Sequence, residues 1–324
     1  MEYDRQKRRL RRRLAVVVAA AALSACNGAL PADEIERRAT TGLVATPRRA
    51  ATAPAEPITS VLSNETIEKA LLDQWFDSVG PTRKKESFGR LVSRVGRLQL
   101  GTPYGDPPQD RDPERLTVEL ETFQCVSFVE STLAVARCTW SEQPNGECFL
   151  RELQALRYRD GIMDGYGSRL HYFTDWIDDN TRRGHLRNLS IDLGGKAETF
   201  DFTFMTAHPL RYPALADPHA FAEVNATEER LSRLPHLVLG HAAVSANAQR
   251  LRSGDLVAIV SDKYPGLRVR HAGFIDRTAQ GLPRLLHASS SHKRVMITAA
   301  GIADYMTTRP DRRGIVALRP QPPE

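Results

Sequence analysis

One thiol and two imidazoles in this chain have types and settings suited to acyl-transfer chemistry. Cys125 opens an apolar stretch, Phe123-Gln124-Cys125-Val126-Ser127-Phe128-Val129-Glu130, whose pattern predicts a helix. His271 and His287 stand on strand-like segments, Arg270-His271-Ala272-Gly273-Phe274-Ile275 and Leu286-His287-Ala288-Ser289-Ser290. A thiol at a helix start meets the positive end of the helix dipole, which favours the thiolate. An imidazole beside it can hold the thiol proton and later give it to a leaving amine, while a second polar group fixes the tautomer of the first. The bland alternatives are a buried cysteine acting as a small hydrophobe and strand histidines with no chemical task. Zinc is a third reading, since one thiolate and two imidazoles suit that ion. A structural zinc site wants a fourth ligand, and the chain has no Cys-x-x-Cys or His-x-x-x-His spacing.

The elements that must position these groups are legible in outline. Helices are expected over 66–76 and over Phe88–Leu98, where Phe88, Leu91, Val92, Val95 and Leu98 recur at helical spacing. A turn at Gly101-Thr102-Pro103-Tyr104-Gly105 and a strand over 116–120 lead into the Cys125 helix, which reads as continuous to residue 137. A further helix over 149–158 ends at Asp160-Gly161. Residues 165–201 are aromatic, charged and turn-rich, and predict a loop-dominated insertion with a binding role. A similar insertion, with His208-Pro209 and a helix over 225–234, precedes the clearest β region. There, strands are expected over 256–260, 269–275, 284–288, 295–298 and 315–318, closely spaced as in an antiparallel meander. Helices first and strands later is an α+β order.

The N-terminus reads as an export leader. Lys7-Arg8-Arg9-Leu10-Arg11-Arg12-Arg13 precedes an apolar core of about ten residues, too short for a permanent membrane span, and then Leu23-Ser24-Ala25-Cys26. That box resembles a bacterial lipoprotein signal, with Cys26 lipidated, and Asn27 after it resembles lipoproteins sorted to the outer membrane. Residues 1–26 carry seven basic and two acidic residues, so they hold five of the six formal positive charges. The remainder is close to neutral, which removes the composition argument for nucleic-acid binding. Residues 27–60, rich in Ala, Pro and Thr, are expected to be a tether, with residues 61–324 forming one folded domain. Of the other cysteines, Cys125 and Cys138 would lie about 20 Å apart along one helix, too far to bridge. Cys138 and Cys148 flank a turn-forming stretch and are expected to pair, leaving Cys125 as the free thiol.

An ordered set of motifs then carries a resemblance. It comprises Gly101-Thr102-Pro103-Tyr104, 123–130, Arg157-Tyr158-Arg159-Asp160-Gly161, Ser168-Arg169-Leu170-His171-Tyr172, Asp175-Trp176, His208-Pro209, Ser253-Gly254-Asp255, His271-Ala272-Gly273 and His287-Ala288-Ser289-Ser290. From about residue 65 to 318 the chain resembles the NlpC-type cell-wall cysteine hydrolases of papain-like fold, specifically their N-acetylmuramoyl-L-alanine amidase-like branch. The resemblance implies a papain-like α+β core, with Cys125 as nucleophile, His271 as general base and acid, and His287 as its orienting group. It matches Tyr104 to a tyrosine of the turn motif that can lend its hydroxyl to the site. It implies cleavage of the amide between N-acetylmuramic acid and L-alanine in peptidoglycan, with no metal or cofactor; the leader points to the periplasm, and the chain is expected to be a monomer. One departure is Gln124, where related sequences usually carry Asp before the nucleophile.

Several readings stay open at this level. Arg169 and His171 could grip substrate carboxylates or sugar, or could cap loops. Trp176 could stack on a sugar ring or fill the core. A stem-peptide endopeptidase with the same trio, and an inactive peptidoglycan-binding lipoprotein, are the rival functions.

Overall fold

Alternating and continuous apolar runs in the C-terminal third build the sheet on which the two histidines stand. The computed structural model describes residues 60–62, 65–80, 86–105 and 113–324. The expected leader, the lipidation site Cys26 and the tether up to residue 59 lie outside the described residues. In chain order the elements are β1 (Ser60–Leu62), α1 (Glu65–Val79), α2 (Phe88–Leu98), β2 (Leu116–Val118), α3 (Cys125–Trp140) and α4 (Gly146–Arg157). Next come α5 (Phe173–Arg182), β3 (Leu186–Asn188), β4 (Lys196–Glu198), α6 (Phe204–Ala207), α7 (Pro218–Arg233), β5 (His236–Gly240) and α8 (His241–Asn247). The sheet region follows as β6 (Leu256–Tyr264), β7 (Leu267–Arg277), β8 (Pro283–Ser289), β9 (Arg294–Gly301), α9 (Ile302–Thr307) and β10 (Arg312–Pro320).

The sheet runs in the order β4-β5-β10-β6-β7-β8-β9, with β3 also paired to β10. The chain is thus α+β, as expected. The meander holds for β6 to β9 only. β10 returns antiparallel to the other side of β6, pairing Ile315 with Ile259 and Leu318 with Leu256. The returning strand makes β6 central, and its first six residues are buried, because both faces of the sheet are covered. One face carries Ala258, Val260, Ala272, Phe274, Leu286 and Ala288, in one core cluster with Phe128 of α3 and Leu91 of α2. The other carries Val257, Ile259, Ile275, Leu285 and Ile315, packed with Val244 of α8 and Ile302 of α9. Each fully buried Leu, Ile, Val or Phe contributes about 1.5–3 kcal/mol relative to exposure.

Helix α2 binds the sheet by more than its apolar stripe. Arg97 makes a bidentate bond to Asp276 of β7, with both contacts at 2.7 Å, and Ser93 Oγ donates to the same carboxylate at 2.8 Å. Gly254 has φ +84° and lies against the backbone of Gly89, so neither a side chain nor another φ would fit there. That contact explains why Ser253-Gly254-Asp255 leads into β6. Asp255 is itself clamped by Arg319 at 2.7 and 2.8 Å.

Two expectations for the insertions are corrected. Residues 165–201 contain the ten-residue helix α5, with Phe173, Trp176 and Ile177 buried; its charged residues masked the helical period. The later helix starts at Pro218, not near 225. Asp217 caps it by accepting from the His219 and Ala220 N–H groups, and Pro218 takes the first helical position.

Candidate functional site

The Cys125 position is built locally. Gln124 is extended (φ −94°, ψ 173°) and Cys125 begins α3. The Gln124 N–H donates to Ser127 Oγ at 2.9 Å, the return half of a capping box. The turn before the helix is tied in from both sides: Tyr104 forms a parallel bridge with Phe123, and the Tyr104 N–H donates to the Lys293 carbonyl at 2.9 Å. Tyr104 is therefore beside the residue two before Cys125, with its ring partly buried against the core.

The imidazoles are built at long range. Strands β7 and β8 pair from Arg277↔Pro283 to Phe274↔Leu286, and both histidines lie just beyond that paired stretch. A bulge precedes His271: Ile259 pairs with His271 and Val260 with Val269, which leaves Arg270 as the extra residue. His271 Nε2 lies 2.6 Å from His287 Nδ1, the rings meeting edge to face at 84°. Gly273 makes this approach possible. A Cβ there would lie 2.6 Å from the Leu286 carbonyl oxygen and 2.8 Å from His287 Cβ. On its other side His287 meets the Tyr305 ring of α9 at 5.7 Å, and Tyr305 is covered by the Arg312 guanidinium at 3.8 Å.

The thiol and the imidazoles converge on one strand. The backbone N–H groups of Ala272, next to His271, of Val126 and of Cys125 itself lie where they lower the thiol pKa. Those donors favour the thiolate, but burial outweighs them and pushes the Cys125 thiol up from its ordinary value. Burial, followed by the neighbouring His287, Arg312 and Arg270, holds His271 well below the usual imidazole range. Burial likewise takes His287 down to about 4. The thiol and both imidazoles are thus each held toward the neutral form, unlike the pre-formed thiolate that the helix start alone suggests. Cys125 is the free cysteine of the described residues, and Cys138 is bonded to Cys148. Among the described residues no group of three His, Cys, Asp or Glu side chains is arranged to hold a metal ion.

A cavity of about 590 Å³ opens against the start of α3, though Cys125, His271 and His287 do not themselves line it. Gln124 and Val126, on either side of Cys125 in sequence, are in its wall, with Arg169, His171, Arg211 and Tyr212 among the residues facing them. Arg169 has the Glu114 carboxylate at 3.8 Å, and His171 Nε2 donates to the Tyr166 carbonyl at 2.8 Å. Both expected binding residues therefore border the cavity. Its inner wall is set by Glu130, which is buried and ion-paired to Arg157 at 2.8 Å.

Trp176 is a correction. It is 0% exposed and stacked on Phe173 at 4.7 Å, so it belongs to the core and has no face to offer a sugar. Its helix instead holds Asp175, which pairs with Arg159 at 2.7 Å and with Arg230. Sequence reasoning missed Tyr305, Arg312 and the wall residues Arg211 and Tyr212. Helix α9 is only six residues long, and Arg211 and Tyr212 end and cap a three-residue 3₁₀ turn with no periodic signal.

Comparison with known proteins places the chain in a family. The model of a family described as AmiA-like, N-acetylmuramoyl-L-alanine amidase-like, matches residues 94–315. A crystal structure of an N-acetylmuramoyl-L-alanine amidase from Bacteroides uniformis is 30% identical with a TM-score of 0.67, covering 72% of this chain and 99% of that one. A Bacteroides fragilis protein provisionally described as a xylanase is 31% identical with a TM-score of 0.64, covering 69% of this chain and 98% of its own. A Legionella pneumophila protein of the DUF1460 family shares the fold at 16% identity and a TM-score of 0.59, covering 80% of this chain and 96% of that one. No curated protein matches the chain. The matched span takes in the thiol, both histidines and most of the cavity wall, and the chain belongs to the N-acetylmuramoyl-L-alanine amidase-like family.

Proposed function

We propose that this protein is a cysteine hydrolase that cleaves the amide between N-acetylmuramic acid and L-alanine in peptidoglycan or its fragments. One observation carries the reading: the backbone of Ala272, beside Cys125, lies on the strand where His271 meets His287 at 2.6 Å. With His271 Nε2–H donating to His287 Nδ1, Nδ1 of His271 remains as the base. Because the thiol rests protonated, proton transfer to His271 accompanies attack on the lactyl carbonyl. The carbonyl oxygen becomes an oxyanion beside the Cys125 N–H at the helix start. Collapse breaks the C–N bond as His271 returns the proton to the alanine nitrogen, leaving a lactyl thioester. Water, deprotonated by the same imidazole, then cleaves the thioester and restores the thiol.

In this reading the cavity beside Gln124 and Val126 takes one side of the scissile bond, with Arg169 and His171 facing the substrate. The N-terminal pattern supports a lipoprotein attached through Cys26 to the outer membrane and facing the periplasm, where the substrate lies. The deciding experiment uses the full chain with Cys26→Ser and a defined disaccharide-peptide, with products identified by mass spectrometry. A peptide with a free L-alanine amine is expected. A disaccharide still carrying a shortened stem would instead identify a stem-peptide endopeptidase, and a bound but unaltered ligand would identify a binding protein.

A further inference from the structure

A second concavity, of about 470 Å³, lies at the far end of β7 and shares no lining residue with the cavity beside Cys125. Arg277 in its wall is six residues past His271, about 20 Å along an extended strand. Arg187, Arg250, Arg252 and Arg319 complete a ring of five guanidinium groups over a floor that includes the buried Leu189, Leu193 and Leu251. They arrive from the segment around β3, the turn before β6, and the ends of β7 and β10.

Their partners divide them. Arg319 is neutralised by its bidentate contact with Asp255. Arg277 is fixed without being neutralised: it donates to the Gln249 and Leu251 carbonyls at 3.1 and 2.7 Å and to Gln249 Oε1 at 2.8 Å. Arg250 is likewise held by the Asp192 carbonyl at 2.9 Å and by Asn247 Oδ1 at 3.0 Å. Arg187 has the Asp192 carboxylate only at 3.8 Å. Among the described residues no carboxylate is in ion-pair contact with Arg250, Arg252 or Arg277. Five cations against Asp192 and Asp255 leave three uncompensated charges around one hollow. An arginine that merely solvates a surface needs no carbonyl anchors. Two anchored, unneutralised forks, Arg250 and Arg277, beside Arg187 and Arg252 around one hollow match a ligand with more charge and more acceptor oxygens than a single carboxylate offers.

We propose that this arginine ring binds a phosphate-type oxyanion, either a soluble phosphoryl group or the headgroup of an anionic lipid. The test uses the full chain carrying Cys26→Ser. Calorimetry with inorganic pyrophosphate reads the soluble arm, and co-sedimentation with phosphatidylglycerol vesicles, against phosphatidylcholine vesicles, reads the lipid arm. Saturable binding in at least one arm is expected, weakening as salt rises. The exposed pair Arg250→Ala with Arg252→Ala should weaken it about tenfold or more, with thermal unfolding and amide hydrolysis unchanged. Pyrophosphate binding without vesicle binding assigns a soluble ligand. Vesicle binding that pyrophosphate displaces assigns a lipid headgroup. No saturable binding in either arm, or binding untouched by the double variant, overturns the proposal. Because hydrolysis is read separately, a failure here is distinguishable from a failure of the amidase reading.

Discussion

Cys125 owes its place to neighbours in sequence, whereas His271 and His287, sixteen positions apart, owe theirs to a sheet register. The thiol needs an extended Gln124, a Ser127 hydroxyl and the start of α3. The imidazole pair needs the bulge at Arg270, the end of β7–β8 pairing, the vacancy above Gly273 and the Tyr305 ring. A locally built group tolerates distant change, while a group built by register is exposed to any shift of either strand. The halves meet through Ala272, beside the thiol, and through Phe128 of α3 packed on Phe274 of β7 at 6.0 Å, and perturbations should still sort by which half they reach first.

The largest expected effect comes from removing the thiol itself. Cys125→Ala should lower turnover by about 10⁴-fold or more, with thermal unfolding near wild type; residual turnover close to wild type would sink the nucleophile assignment. Next is the register-built half. Gly273→Ala forces a Cβ against His287 and the Leu286 carbonyl, and should lower turnover by about 10²-fold. It should also cost about 1–3 kcal/mol in chemical denaturation. Loss of stability without loss of turnover would show that the histidine contact is not needed.

The pH response separates the halves again. His271 is neutral down to a pH well below its ordinary value, so the pH–rate profile should keep its acid limb clearly below pH 6.5. Stability follows the opposite sense. Burial also lowers His236, and takes His185 down to about 3. Above about pH 6.5 these groups are neutral both folded and unfolded. As pH falls below that, only the unfolded chain binds the protons, and stability is lost down to the lowered folded values. The slope is at most about 1.4 kcal/mol per pH unit for each group, measurable by denaturant titration; a flat profile between pH 6.5 and 4.5 would contradict the buried neutral histidines. The smallest effect is expected at the helix start. Ser127→Ala removes the return half of the capping box and should cost about 1 kcal/mol, with turnover within a few-fold in the same product assay. A collapse comparable to Gly273→Ala would mean that the thiol, too, depends on long-range support.

The local half was largely legible in the sequence, because the apolar run after Cys125 and the turn-flanked Cys138 and Cys148 are signals carried by consecutive residues. The strands around His271 and His287 were legible as strands through their apolar alternation. Their mutual approach was not, since it rests on a bulge and on pairing that stops at Phe274. Short elements such as β5 and α9 gave too few residues for a period to show. Trp176 stayed undecided in the sequence because an aromatic beside acidic residues looks alike in a groove and in a core; the stacked Phe173 decides it for the core. The start of α7 was readable in Asp217-Pro218, a cap and first-turn pair that the apolar spacing further along overshadowed. The arginine ring gathers separate segments and has no signature in any one of them.

The burial that raises the Cys125 thiol has a consequence for its chemical lifetime. Peroxides and alkylating agents attack the thiolate, and a sulfur kept protonated between turnovers is a poor target for either. Iodoacetamide should accordingly label Cys125 slowly at neutral pH, a rate that intact-mass measurement follows. Under the proposed mechanism, a thiol that becomes reactive only as His271 takes its proton would need less protection from oxidants between turnovers.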